Sequence, residues 1–292
     1  MSASWRIALA LPLIGAAPAA TPAADARAWL TACQGKDGWS DPAPPVRLFA
    51  NVADVGTCNI TALLITGPQG HVLIDGATEE AAPAIARNIE RLGYRLRDVR
   101  LILNSHEHLD HAGGLATLQR LTGARVVARA EAKPALESGR TDADDPQAGS
   151  LAPFPGVRVD RAVRDGEVLR VGPIALTAHA TPGHTRGSTS WSWRSCAGRD
   201  CRTIVYADSL NALSAEGYRF SDHPALVATF RATFAKVAAL PCDMLFTPHP
   251  GASDFAARLA ATQPLADAGA CRRYAEAAGA RLDARLAKER GA

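Results

Sequence analysis

The run His106-Glu107-His108-Leu109-Asp110-His111, followed directly by Ala112-Gly113-Gly114, constrains this chain more than any other segment. Neutral imidazole and carboxylate are the usual nitrogen and oxygen ligands of zinc. On a helix His106 and His108 would face nearly opposite sides, whereas in an extended or looped segment residues two apart share a side. The helical HExxH zinc site has a different spacing and does not match. Arg100-Leu101-Ile102-Leu103-Asn104-Ser105 reads as a strand and 113–121 as a helix. The run is therefore a strand-to-helix loop, the place where open parallel sheets assemble active sites. A purely structural zinc site is closed and usually rich in cysteine, and this run contains none.

His106, His108, Asp110 and His111 are more ligands than one tetrahedral ion can use from so short a loop, so the crowding predicts two metals. The missing ligands are sought at other strand ends. His184 sits in Thr181-Pro182-Gly183-His184-Thr185, just after a strand, and His249 in Thr247-Pro248-His249-Pro250-Gly251, just after Met244-Leu245-Phe246. Asp75 and Asp208 each close a strand, where a carboxylate can orient a ligand histidine from behind. A turn carboxylate with no such role fits the local sequence equally well. His71, His179 and His223 lack such settings and read as ordinary.

At the N-terminus one positive charge, a short apolar core and small residues around 17–24 describe a secretory signal peptide over residues 1–24. The apolar run is shorter than the roughly 20 residues a bilayer span needs. Residues 25–292 fit one substantial domain. The formal charge of +3 becomes +2 once Arg6 leaves with the leader. With no polybasic stretch and no basic groove interleaved with aromatics, the sequence argues for neither nucleic acid nor membrane as a partner. Six cysteines in an exported chain imply disulfides, and six allow fifteen connectivities. Cys196 and Cys201 flank a short turn between strand-like runs, which suits a bridge at a hairpin end.

Strands are predicted at 46–49, 60–66, 71–75, 100–105, 124–129, 157–159, 167–171, 174–179, 189–193, 203–206 and 244–247. Helices are predicted at 25–33, 79–92, 113–121, 131–138 and 224–240, with 263–289 mostly helical. Residues 139–155, rich in Asp, Pro and Gly, form a long loop, and such loops in compact domains are often functional. Strand clusters separated by helices, twice over, predict an α/β fold of two packed β-sheets with helices outside.

At these residues the chain closely resembles the metallo-β-lactamase superfamily. His106-x-His108-x-Asp110-His111 with His184 and His249 corresponds to its full ligand set, and Asp75 and Asp208 match its other motif positions. Thr181-Pro182-Gly183-His184-Thr185-x-Gly187-x-Thr189-Ser190-Trp191, Tyr206-Ala207-Asp208-Ser209-Leu210 and the segment 240–253 resemble subclass B3, over about residue 32 to the C-terminus. The resemblance implies an αβ/βα sandwich of two mixed sheets and the disulfides Cys33–Cys58, Cys196–Cys201 and Cys242–Cys271. It further implies zinc-dependent hydrolysis of the β-lactam amide of penicillins, cephalosporins and carbapenems by a metal-held hydroxide, and so antibiotic resistance. Two Zn2+ per chain are implied, one on His106, His108 and His184, the other on Asp110, His111 and His249, with Asp110 also orienting the nucleophile. Ser209 and Asn211 would meet the substrate, Asn211 standing where subclass B3 usually carries Ser or Thr. The partner is a small-molecule β-lactam, and the protein is expected to be a periplasmic monomer.

Overall fold

The computed structural model describes residues 21–291; of the segment 1–24 expected to be a signal peptide, residues 1–20 lie outside the described residues. The first sheet has seven strands in the order β1 (Val46–Phe49), β2 (Val52–Asp54), β3 (Leu63–Ile65), β4 (His71–Ile74), β5 (Val99–Leu103), β6 (Arg125–Arg129) and β7 (Arg161–Val163). β1 to β4 pair antiparallel, and β4 to β7 pair parallel. The second sheet comprises β8 (Val168–Val171), β9 (Ile174–Ala180), β10 (Thr189–Ala197), β11 (Asp200–Tyr206) and β12 (Met244–Phe246). Its strands pair antiparallel except β11 and β12, which run parallel.

The helices are α1 (Pro22–Cys33), α2 (Ala82–Arg91), α3 (Leu109–Ala112), α4 (Leu115–Thr122), α5 (Lys133–Ser138), α6 (Pro224–Ala239), α7 (Phe255–Leu259) and α8 (Ala270–Arg290). Strand periodicity builds the layers, since alternate residues face opposite sides of a sheet. Leu63, Ile65, Val72, Ile74, Leu101 and Leu103 meet Leu176, Trp191, Ile204, Tyr206, Met244 and Phe246 between the sheets. Their neighbours Leu64, Leu73 and Ile102 face outward onto α2 and α4. Val205 and Leu245 face outward onto α6 and α8. The two-sheet sandwich with helices outside is thus the architecture expected, and the three disulfides form with the expected pairings.

Several boundaries differ for local reasons. Residues 157–159 are not a strand: the Val157 amide donates to the Leu136 carbonyl and the Val159 amide to the Glu137 side chain, so α5 takes bonds a sheet would need. The strand is β7, slightly later. The short β2 has too few residues to show alternation. α1 begins at Pro22, where Thr21 caps the helix and proline suits the first turn. Pro264 and Gly269 keep 263–269 out of α8.

Asp54, at the end of β2, is buried and accepts the amides of Gly56 and Ala62 at 3.1 Å each. Burial lifts its pKa to about 7, outweighing those hydrogen bonds. The folded state therefore holds this proton more tightly than the unfolded chain does. Raising the pH from about 4 to about 7 ionises the unfolded chain first and lowers stability, and the loss is complete above about 7. Asp54→Asn should remove this loss, leaving the variant at least as stable as the parent at pH 8 in urea unfolding. A variant less stable than the parent at pH 8 would refute the account.

Candidate metal centre

The chain leaves β5 at Leu103 and stays extended. The Trp191 indole donates to the Asn104 carbonyl at 3.1 Å, and the Asn104 amide group donates to the His106 carbonyl at 2.6 Å. His106 and His108 consequently share a side. His108 is the last extended residue, and Asp110 and His111 lie in the single turn of α3 rather than on the loop expected from the sequence. That turn rotates them to a second side. Gly114 permits it, because a Cβ there would stand 2.2 Å from the Gly76 carbonyl oxygen. Glu107 points away from the metal-capable groups. Its carboxylate accepts the Thr185 hydroxyl at 2.7 Å and the Gly187 amide at 2.9 Å, tying this loop to the one carrying His184.

His106, His108 and His184 bring ligand atoms within 4.8 Å of one another, and so do His106, Asp110 and His111. Asp110 Oδ2 lies 3.1 Å from His111 Nε2 and 3.3 Å from His249 Nε2, and the two nitrogens are 3.4 Å apart. Tetrahedral bonds of 2.0–2.1 Å separate ligand atoms by about 3.3 Å, so this triad has the spacing one zinc ion requires.

The far side of four of the five rings explains which nitrogen faces inward. His106 Nδ1 donates to Asp208 at 2.8 Å, His108 Nε2 to Asp145 at 3.0 Å, His184 Nδ1 to the Asn211 carbonyl at 2.8 Å and His249 Nδ1 to the Asn59 carbonyl at 3.2 Å. An N–H on that nitrogen leaves a lone pair on the other, the arrangement ligating histidines adopt. His111 Nδ1 is 3.6 Å from Asp75, buried and without a hydrogen bond. Its Nε2 meets that of His249 across a gap that only a proton or a cation makes favourable.

Burial, reinforced by neighbouring histidines, holds His106 and His184 well below the usual histidine pKa, so both are neutral, the form a metal ligand needs. Burial alone would raise Asp110, but His111 and His249 outweigh it and keep the carboxylate ionised. His111 moves the other way: burial pulls it down, yet Asp110 and Asp75 lift it to about 10. The electrostatics thus favour positive charge beside Asp110. The nitrogen and oxygen donors, with no thiolate among them, fit zinc.

All six predicted ligands converge. Asp75 stands behind His111 and Asp208 behind His106, as their strand-end positions allow. Ser209 is buried directly after Asp208, and its hydroxyl makes no hydrogen bond with the described residues. Asn211 orients His184 through its backbone carbonyl, a role any residue type there could serve. His71, His179 and His223 are elsewhere, engaged with Tyr94, Ser192 and Tyr218 respectively. The His249 side chain is 29% exposed whereas that of His111 is fully covered, so the centre opens beside His249.

Sequence reasoning missed Asp145, Tyr206 and Tyr274. Asp145 lies in the long loop flagged as functional, but nothing in its local pattern distinguishes it from Asp142 or Asp144. The Tyr206 hydroxyl lies 2.8 Å from Asp75 and 2.9 Å from the Thr61 carbonyl. The Tyr274 hydroxyl, from α8, donates to the Asp208 carbonyl and accepts the Leu210 amide, both at 3.1 Å, fixing the segment that carries Ser209.

A family model described as the metallo-β-lactamase superfamily matches residues 55–249, which include all six candidate ligands. The chain belongs to the metallo-β-lactamase superfamily. Among solved structures it is similar to the metallo-β-lactamase MIM-1 from Novosphingobium pentaromativorans, at 49% identity and a TM-score of 0.87 over 89% of this chain and 97% of that one. It is likewise similar to MEM-A1, a subclass B3 metallo-β-lactamase from a soil metagenome library, at 47% identity and a TM-score of 0.84 over 87% and 99% of the two chains. Within the superfamily it stands with subclass B3. It also resembles the hydroxyacylglutathione hydrolase of Methylobacterium nodulans, 35% identical over 103 residues that make up 35% of this chain and 31% of that protein. The chain spans less than half the length of such curated relatives, here 31% and 46%.

Proposed function

We propose that this superfamily member hydrolyses the β-lactam amide bond of penicillins, cephalosporins and carbapenems with two zinc ions, conferring resistance to them. The observation that carries the reading is the position of Asp208. In thioesterase and lactonase relatives the aspartate of this motif bridges the metals, whereas here it is hydrogen-bonded behind His106. Resemblance over 97% and 99% of two β-lactamase chains, against under half of the thioesterases, supports the same choice.

His106, His108 and His184 would hold one ion, and Asp110, His111 and His249 the other. Zinc held there would supply Lewis acidity and a nucleophilic oxygen at neutral pH. The chain's own residues do the rest. Asp208, Asp145, Asn211 and Asn59 fix the tautomer and aim of four ligand rings. Asp110 places negative charge between His111 and His249, and its second oxygen is free to orient the attacking group. Ser209, with an unengaged hydroxyl, binds the substrate carboxylate with Asn211 beside it. Substrate enters past the exposed edge of His249. Residues 1–24 act as an export signal and 25–292 as a single catalytic domain working as a periplasmic monomer. The disulfides suit that compartment, and no helix among the described residues is long and apolar enough to cross a membrane.

The test compares a chromogenic cephalosporin with S-lactoylglutathione, each with and without a chelator. Chelator-sensitive turnover of the cephalosporin, with the thioester cleaved far more slowly, is expected. Efficient thioester cleavage and an inert cephalosporin would reassign the enzyme to the hydroxyacylglutathione hydrolases.

A further inference from the structure

At the end of the sandwich opposite the metal centre, Arg97, Arg100, Arg125 and Arg170 line one concavity of about 440 Å³. They come from the approach to β5, from β5 itself, from β6 and from β8, which is why no polybasic stretch marks them in the sequence. All four are exposed. Arg97, Arg125 and Arg170 have no acidic partner among the described residues. Arg100 reaches only Asp98, at 3.9 Å, and that carboxylate is already bound by Arg95 at 2.7 Å. The concavity therefore carries several uncompensated guanidinium groups, which favour phosphate oxygens by geometry as well as charge.

Exposed apolar side chains flank the same place. Leu121 is 47% and Val168 42% exposed, two of the four large hydrophobic residues exposed among the described residues. Leu121 directly precedes the lining residue Thr122, and Val168 shares a face of edge strand β8 with Arg170, two residues on. Clustered arginines with adjoining exposed aliphatic groups match a bilayer interface, whose phosphates attract cations and whose acyl boundary accepts apolar side chains.

We propose that this face docks the protein onto an anionic phospholipid surface. Strand β5 starts in the concavity at Val99 and ends at Leu103 beside the ligand loop. The four residue steps of β5 from Val99 to Leu103, about 13 Å at 3.3 Å each, separate the two ends. Docking through the arginine face leaves the metal centre turned away from the bilayer and open to substrate. The inference is independent of which substrate that centre hydrolyses.

The experiment is co-sedimentation of the metal-loaded protein with phosphatidylglycerol-containing vesicles and with pure phosphatidylcholine vesicles, at low and physiological salt. Binding to the anionic vesicles alone, weakening with salt, is expected. In an Arg97→Gln/Arg125→Gln/Arg170→Gln variant the partition coefficient should fall on the order of 100-fold, with zinc content and turnover unchanged. Leu121→Ser with Val168→Thr should weaken binding several-fold. Absence of binding at low salt, or equal binding by the triple variant, overturns the proposal. Binding of soluble inositol hexasulfate without vesicle binding also overturns it, marking a site for soluble anions instead.

Discussion

Asp110→Ala should lower kcat/KM for a chromogenic cephalosporin by at least about a thousandfold and halve the zinc bound per chain. Asp110 is the one anionic donor in its triad, with Oδ2 3.1 Å from His111 and 3.3 Å from His249. Its removal leaves two neutral imidazoles, too few to retain an ion that needs three protein ligands in a catalytic site. Losing the stabilisation a catalytic metal provides costs several kcal/mol of barrier, and about 4 kcal/mol corresponds to three orders of magnitude. Metal analysis by emission spectroscopy and initial rates on the same preparation test the two parts together. Full zinc content with parental rates would remove Asp110 from the centre. Loss of zinc without loss of rate would confine the chemistry to the site on His106, His108 and His184.

Asp75→Ala should destabilise the enzyme by about 3–5 kcal/mol, the usual consequence of breaking a buried charged network. The Asp75 carboxylate is fully buried. It accepts the Ser105 amide at 2.7 Å and hydroxyl at 2.6 Å, and faces the Tyr206 hydroxyl at 2.8 Å and His111 at 3.6 Å. Truncation strands those groups away from water. The backbone adds to the effect: Asp75 has φ of 65°, a left-handed conformation that Asp and Asn tolerate better than Ala. For a domain of this size the change corresponds to a melting temperature lower by about 10 °C. Asp75→Asn keeps the backbone preference and one acceptor oxygen, and should lose clearly less. Equal melting temperatures for the Ala variant and the parent would show that the network contributes nothing.

The candidate centre was unusually legible because its metal-capable residues obey local rules. His106, His108, Asp110 and His111 are contiguous, and their spacing excludes a helix under the first pair. His184 and His249 follow strands and sit among glycine and proline, so topology alone brings them to one edge. The groups behind the ligands were legible only in part. Asp75 and Asp208 end strands, and that position hinted at their partners. Asp145 is one acidic residue among several in a loop, and Tyr274 lies on α8, far from any motif. Their roles arise from contacts across 37 and 66 residues of sequence, and no local periodicity encodes those. The strand expected at 157–159 failed for a related reason, since α5 competes for its amides.

The sequence by itself pointed to the two-sheet architecture and to six candidate ligands, because the clustering of strand-like runs between helices and the spacing of histidines are short-range properties. Only the tertiary structure decided which ring nitrogen of His106, His108, His184 and His249 would face a metal, because the carboxylates and carbonyls that set those tautomers come from distant segments. It alone placed Asp208 behind His106. It also gathered Arg97, Arg100, Arg125 and Arg170 into one face, because charges scattered along a chain form a field only when folding brings them within a screening length of one another.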